Sequence, residues 1–197
     1  MILRRYLLGL ALALTCIGFA QAQTPAPQVK FTTSAGEFVI ELYPDKAPNT
    51  VENFLTYVRD GHYNGLIFHR VINNFMIQGG GYDARYMEKP TRPSIKHEGA
   101  EVKAKNGPTN TAGTIAMART NNPHSASSQF FINVNNNDFL NHSAPSGQGW
   151  GYVAFGKVVS GMEVVNKIKL SPTGAGGPFP SDVPQTQVVI QSASLVK

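Results

Sequence analysis

A chain of 197 residues with 17 Lys and Arg, 12 Asp and Glu and a formal charge of +5 is long enough to bury one sizeable core. Its basic residues are scattered along the sequence, which argues against a nucleic-acid surface, where Lys and Arg gather on one face. Its single cysteine, Cys16, excludes a disulfide framework.

The first stretch reads as an export signal. "MILRR" is a short basic start, an apolar run follows from Tyr6 to about Ala20, and "AQA" at Ala20–Ala22 places small residues at the −3 and −1 positions of a cleavage site. The run is short for a membrane span, and no basic stop-transfer flank follows it. Arg4-Arg5 resembles a twin-arginine pair, but its short approach and greasy sequel suit the general export route. "ALTC" ends at a cysteine, but Thr15 is a poor neighbour for a lipidated one. Loss of residues 1–22 removes two arginines and the only thiol and leaves 175 residues with a charge of +3. The expected organisation is a cleaved signal over 1–22, a flexible Pro-rich leader over 23–28, and one domain over 29–197. An exported protein without cysteines depends on its core for stability.

"VKFTTSAGEFVIELYP" alternates twice. Val29, Phe31 and Thr33 share one side, "SAGE" turns, and Phe38, Ile40 and Leu42 alternate back, which predicts a β-hairpin. "APNTVENFLTYVRDG" changes period. Val51, Phe54, Leu55 and Val58 form a helical stripe, Asn49 and Glu52 have the spacing of a capping box, and Gly61 ends the helix. Short β-like runs follow: "GLIFHRVI", "FMIQGG", "GTIAMAR", "SQFFINV" and "YVAFGKVV". "SGMEVVNKI" predicts a second helix, capped by Ser160 and Glu163, with Val164, Val165 and Ile168 on its apolar side. "GAGG" at Gly174–Gly177 lacks the Lys-Ser/Thr of a phosphate loop and reads as a turn. "TQVVIQSASLV" closes the chain as a strand. Many short strands divided by Gly, Asn and Pro predict a mainly β fold, a barrel or a sandwich, with two helices able to plug the ends of a barrel.

Alternation also sorts the side chains that carry chemistry. In "SQFFINV", Phe130, Ile132 and Val134 form the obvious core face, which leaves Gln129, Phe131 and Asn133 on the other. In "FMIQ", Met76 and Gln78 oppose Ile77. Twice, a glutamine stands two residues from a large apolar side chain on the less greasy face. An apolar pocket edged by amides suits a ligand that joins a small ring to peptide groups. The bland alternative is packing on both faces with glutamines on the rim. Other chemistries find little support. No G-x-S-x-G or HExxH is present, no carboxylate pair stands out, and His62, His69, His97, His124 and His142 are dispersed without ligand spacing.

One residue is out of place. Arg70 sits inside "FHRVINNFMIQGGG" (Phe68–Gly81), among Phe68, Val71, Ile72, Phe75 and Met76, and no carboxylate lies in that window. A cation in an apolar strand is costly unless it is paired or wet. The bland reading is an arginine that snorkels to solvent or pairs with a distant acid.

"FHRVINNFMIQGGG", "GTIAMAR" and "SQFFINV", in that order and spacing, resemble the cyclophilins, the peptidyl-prolyl cis-trans isomerases. "NTVENF" and "YVAFGKVV" extend the likeness from about Val29 to the end, and "ARTNNPHSASSQFFINV" is most similar to bacterial exported forms. The resemblance implies an eight-stranded closed antiparallel barrel capped by two α-helices. It implies that Arg70 is the catalytic arginine, that Phe75, Met76, Phe131 and Leu140 line a proline pocket, and that Gln78, Ala118, Arg119 and Gln129 hold the flanking peptide. Phe139 and Tyr152 complete the substrate-binding set, standing where a tryptophan and a histidine are usual; Arg119 stands where an asparagine is usual. Phe139 lowers the affinity expected for cyclosporin.

The implied reaction uses no metal or other cofactor. The expected partners are proline-containing segments of unfolded or folding proteins, met by a monomer that binds no nucleic acid and leaves the membrane after signal cleavage. The expected location is the periplasm for a Gram-negative source, and the exterior otherwise. Two other readings use the same barrel: a proline-peptide binding module in which turnover is incidental, and a structural barrel with no ligand.

Overall fold

The fold starts on its hairpin. Strands β1 (Gln28–Thr33) and β2 (Gly36–Leu42) pair antiparallel, with Phe31 opposite Phe38. The six side chains assigned to the inner face are all buried, and the two phenylalanine rings stack 5.0 Å apart. The computed structural model describes residues 25–196, so the signal lies outside the described residues, as do the first residues of the leader. The leader gives way to sheet by Gln28, and the Pro27 carbonyl already accepts from the Leu42 N–H.

Six further strands complete the main sheet: β3 (Leu66–Ile72), β4 (Met76–Asp83), β5 (Thr114–Met117), β6 (Phe130–Asn133), β7 (Ala154–Ser160) and β10 (Ile190–Leu195). Their order is β10-β1-β2-β7-β5-β6-β4-β3, with every neighbouring pair antiparallel. The two end strands then approach each other. Ile67 bridges Val189, and the N–H groups of Gly65 and Phe68 donate to the carbonyls of Ile190 and Val188 at 2.8 and 3.0 Å. The sheet is thus a nearly closed barrel, an arrangement that leaves little free edge.

Helix α1 (Pro48–Arg59) buries the expected stripe of Val51, Phe54, Leu55 and Val58. Phe54 meets Phe31, Tyr63, Phe130 and Phe155 in one aromatic centre, with ring centroids 5.2–6.4 Å apart. Such pairs add about 0.5–1.5 kcal/mol each beyond their buried area. Helix α3 (Met162–Lys169) turns Val165 and Ile168 inward.

Both predicted helix caps are corrected. Helix α1 begins at Pro48, which fits the first turn because it needs no N–H partner. Asn49 is therefore inside the helix, and Glu52 pairs with Arg59 at 2.6 Å. The cap arrives from elsewhere: the buried Glu98 carboxylate accepts from the N–H groups of Asn49 and Thr50 at 3.1 and 2.8 Å. At α3, Ser160 is still the last residue of β7, and Gly161 takes the cap position at φ +80. A Cβ there would lie 2.4 Å from the Glu37 carbonyl, so the turn from β7 into α3 needs glycine.

Besides two short 3-10 turns at Asp138–Leu140 and Gly147–Trp150, one α-helix and two strands were not foreseen. Helix α2 (Gly99–Ala104) has a single turn and a half. Strands β8 (Thr173–Gly176) and β9 (Phe179–Pro184) form a separate hairpin. "GAGG" is mostly strand, and only Gly177 belongs to the turn, at φ +52. The hairpin is held by Phe179, whose ring lies 5.4 Å from that of His69 and 5.0 Å from that of Tyr82 on the barrel's outer side.

Candidate active site

Register builds the site. Arg70 on β3 pairs with Gln78 on β4, Gln78 with Phe131 on β6, Phe131 with Ala116 on β5, and Ala116 with Ala154 on β7. These five side chains form one row across five strands, on the face opposite the core. Phe130, Ile132 and Ile77 point into the core, while Met76, Ala116, Phe131 and Ala154 form a second apolar cluster of their own. Ile72, Phe75, Ala118, Leu140 and Tyr152 pack against it. Alanines at two places in the row leave room, and Phe131 forms a floor.

Over this floor lies a cavity of about 170 Å³. Phe75, Met76, Phe131, Leu140 and Tyr152 give it apolar walls, and Arg70, Gln78, Ala118 and Arg119 edge it. Gln129 stands just outside, where its Oε1 accepts from Gln78 Nε2 at 3.0 Å. Phe139 lies outside the cavity: it is 73% exposed, and its ring stacks on the back of Phe75 at 5.8 Å.

The two arginines at the rim differ in what they have left to give. Arg119 donates from Nε to the Gly151 carbonyl at 2.9 Å and from Nη1 to the Thr120 carbonyl at 2.8 Å. Its guanidinium carbon sits 4.6 Å from the centre of the Tyr152 ring, a cation–π contact. Tyr152 in turn stands edge-on to Phe131 at 5.5 Å. Arg70 is exposed, and among the described residues its guanidinium has neither an ion-pair partner nor a hydrogen-bond acceptor. Its donors face the cavity rim uncommitted.

Sequence reasoning missed the support under these walls. Asn110, Asn133 and Asn137 are all buried. Asn137 Nδ2 donates to the Phe75 carbonyl at 2.9 Å and to Asn133 Oδ1 at 2.7 Å. Asn133 Nδ2 donates to Asn110 Oδ1 at 3.2 Å, and Asn110 Nδ2 reaches the carbonyls of Leu140 and Tyr152 at 3.2 and 3.1 Å. Three amides thus fix the backbone behind Phe75, Leu140 and Tyr152, and each is satisfied by the others, as buried polar groups must be. The only sequence signal was the asparagine run "NVNNN", which reads as an ordinary loop.

Two buried histidines flank the site. His97 accepts the Gly99 N–H at Nδ1 (3.0 Å) and directs Nε2 at the same Gly151 carbonyl that holds Arg119, at 3.3 Å. Burial lowers its pKa to about 4. His69 lies behind Arg70, packed between Tyr82 and Phe179, with no partner for Nδ1. Burial and the neighbouring Arg70 charge lower its pKa to about 4. Both pKa values are depressed from 6.5, so unfolding takes up protons between about pH 6.5 and 4, and stability falls as pH drops through that window. Above it the two groups add no pH dependence. The urea midpoint is expected to fall between pH 6.5 and 5, and to fall less in a His69→Gln/His97→Gln variant. A wild-type midpoint flat over that range contradicts the assignment. Among the described residues, no three His, Cys, Asp or Glu side chains converge as metal ligands.

Comparison with known proteins bears on what such a cavity does. The family model described as cyclophilin type peptidyl-prolyl cis-trans isomerase matches residues 28–195. The chain is 55% identical over 167 residues to peptidyl-prolyl cis-trans isomerase B of Escherichia coli, covering 85% of this chain and 98% of that protein. It is 52% identical over 168 residues to peptidyl-prolyl cis-trans isomerase cyp18 of Streptomyces antibioticus, with the same coverage of 85% and 98%. Among solved structures it is similar to a Cryptosporidium parvum cyclophilin type peptidyl-prolyl cis-trans isomerase crystallised in the presence of the dipeptide Ala-Pro. The TM-score is 0.64 at 25% identity, covering 86% of this chain and 99% of that one.

Proposed function

The chain belongs to the cyclophilin-type peptidyl-prolyl cis-trans isomerases, which act without a cofactor, and from that premise we propose that Arg70 is its catalytic residue and exported polypeptides are its substrates. The proline ring occupies the cavity between Phe75, Met76, Phe131 and Leu140, with Tyr152 as the far wall. Gln78, Gln129 and the backbone at Ala118 and Arg119 hold the peptide on either side, and Phe139 contributes only from outside, behind Phe75. The observation that carries this reading is the free guanidinium of Arg70 at the edge of an apolar slot.

The chemistry follows from the bond. An Xaa-Pro amide resists rotation because the nitrogen lone pair is delocalised into the carbonyl, with a barrier of about 18–20 kcal/mol. As the bond turns, nitrogen pyramidalises and its lone pair becomes a hydrogen-bond acceptor. A donor aimed at that nitrogen binds the twisted amide better than the planar one, which is differential stabilisation of the transition state. No covalent bond forms, and no proton is transferred. Arg119 is poorly suited to the role because two of its N–H groups already bond to carbonyls.

Export rests on the basic, apolar and small-residue segments of 1–22, which lead to the periplasm in a Gram-negative source and to the exterior otherwise. There it assists folding as a monomer by speeding a step that takes tens of seconds or more without help. A cis/trans exchange measurement on a short Ala-Pro peptide tests the reading. Exchange accelerated in proportion to protein concentration is expected. Peptide binding without acceleration favours a binding module, and absence of both favours a structural barrel.

A further inference from the structure

The proline pocket is not the largest hollow on this face. A cavity of about 360 Å³ opens beside it, between α2, the 106–109 segment and the start of β7. Tyr152 lines both, so one residue divides them. A second hollow of about 390 Å³ lies across the same 106–109 segment, against Tyr43 and Lys157. The three are neighbours in a run: Tyr152 is common to the proline pocket and the first hollow, and residues 106–109 are common to the first and second.

The charge along this run has one sign. Lys103 lines the first hollow, Lys46 and Lys157 line the second, and no Asp or Glu lines either. Lys103 and Lys157 are exposed and, among the described residues, have no salt-bridge partner. Lys46 is partly engaged, by the Lys105 carbonyl at 2.9 Å and the Asp45 carboxylate at 3.5 Å. The other nearby acids are Glu41, which faces Lys157 across the β2–β7 ladder and accepts from Gln28, and Glu101 on α2. Asn106, Thr109 and Thr111 supply neutral hydrogen-bonding groups between the lysines.

We propose that this run extends the substrate site and takes an acidic stretch of the same polypeptide whose proline fills the pocket. The proposal rests on the proline-binding part of the proposed function, because the occupant is delivered by the proline's own chain. A pocket of about 170 Å³ holds a ring and little more, so the chain must leave it across the surface. An extended segment advances about 3.3 Å per residue, and Tyr152 lines both the proline pocket and the hollow that Lys103 lines, so the chain has one side chain to cross between them. Lysine ammoniums on flexible stems attract carboxylates without requiring one geometry. That suits a site serving many sequences. The attraction is screened by salt.

The test uses three fluorescein-labelled peptides built on one Ala-Pro core. One carries a run of glutamates after the proline, one carries it before, and the third has glutamines instead. Affinity is read by anisotropy at low and high salt, with cis/trans exchange measured in parallel, on the wild-type protein and on a Lys103→Gln/Lys157→Gln variant. One of the acidic peptides is expected to bind the wild type about five- to tenfold more tightly than the glutamine peptide at low salt. That ratio is expected to approach one at high salt and in the variant. Equal affinities on the wild type, no binding, or a ratio that survives the variant overturns the proposal. Normal exchange with no acidic preference sinks the groove alone. Acidic preference without exchange sinks the isomerase reading and leaves the groove standing.

Discussion

Arg70→Ala is expected to lower kcat/KM on a short Xaa-Pro peptide by about 10- to 150-fold, with peptide affinity changed less than about threefold. The range follows from the one bond removed: a hydrogen bond from a charged donor contributes about 1.5–3 kcal/mol, and 1.36 kcal/mol is tenfold in rate. An acceleration of about ten-thousandfold would need roughly 5.5 kcal/mol. The arginine therefore cannot supply all of it. The rest comes from gripping the ring against Phe131, orienting the chain and excluding water. Because those terms stay in the variant, some catalysis should survive. Binding should survive too, because the planar ground-state amide offers nitrogen no free lone pair for Arg70 to engage. The substitution is also structurally mild, since the side chain is exposed and makes no bond within the described residues. Arg70→Lys should fall between, keeping a charge but losing the rigid fork. Turnover unchanged in Arg70→Ala would refute the role outright. A parallel loss of affinity would mean that the arginine positions substrate rather than favouring the twisted bond.

How much of this was legible in the sequence depends on whether the signal was local. Alternation is local, so the inner and outer faces of β1, β2, β4 and β6 were readable, and with them the oddity of Phe131 and Met76 on an outer face that nevertheless buries them. The row from Arg70 to Ala154 is not local. It exists because four pairings align residues up to 84 positions apart, and period alone contains no register. The amide network under the walls is invisible for the same reason, since Asn110 meets Asn133 only after folding. The β8–β9 hairpin was missed for a different cause. "TGAGGPFPSDVP" has Gly and Pro where alternation would be looked for, and its strands are held by Phe179 on the barrel rather than by an inner face of their own. Phe139 entered the site through family likeness alone, and here its ring turns outward onto Phe75. The helix caps show how a local rule can be satisfied on paper and overruled in space. Asn49 and Glu52 have capping-box spacing, yet Pro48 starts the helix earlier, and a carboxylate 49 residues downstream takes the exposed N–H groups.

That carboxylate carries the largest stability effect expected of a single polar side chain here. Glu98→Ala should destabilise the fold by about 3 kcal/mol, which for a domain of this size is a fall in Tm of about 6–12 °C. Glu98 is buried and receives four bonds: from the Asn49 N–H at 3.1 Å, Asn49 Nδ2 at 2.8 Å, the Thr50 N–H at 2.8 Å and Thr50 Oγ1 at 2.7 Å. Two of these are helix-terminal N–H groups, which have no partner within α1, and a negative charge there also meets the positive end of the helix dipole. Alanine strands all four donors at once. Glu98→Gln separates the causes. Its amide oxygen can keep the pair of donors on Asn49, and Thr50 Oγ1 can turn to accept from the new NH2, but the Thr50 N–H cannot. About half the loss is therefore expected. Thermal unfolding of the three proteins should rank wild type, then Gln, then Ala; a Gln variant equal to wild type would show that charge and the Thr50 bond are unimportant. The consequence reaches the active site through the chain itself. Glu98 follows His97, whose Nε2 is directed at the Gly151 carbonyl that also holds Arg119 over Tyr152. One short segment thus ties the first turn of α1 to the far wall of the proline pocket. Loosening it at Glu98 should raise KM for proline peptides before it touches kcat, the reverse of the pattern expected at Arg70.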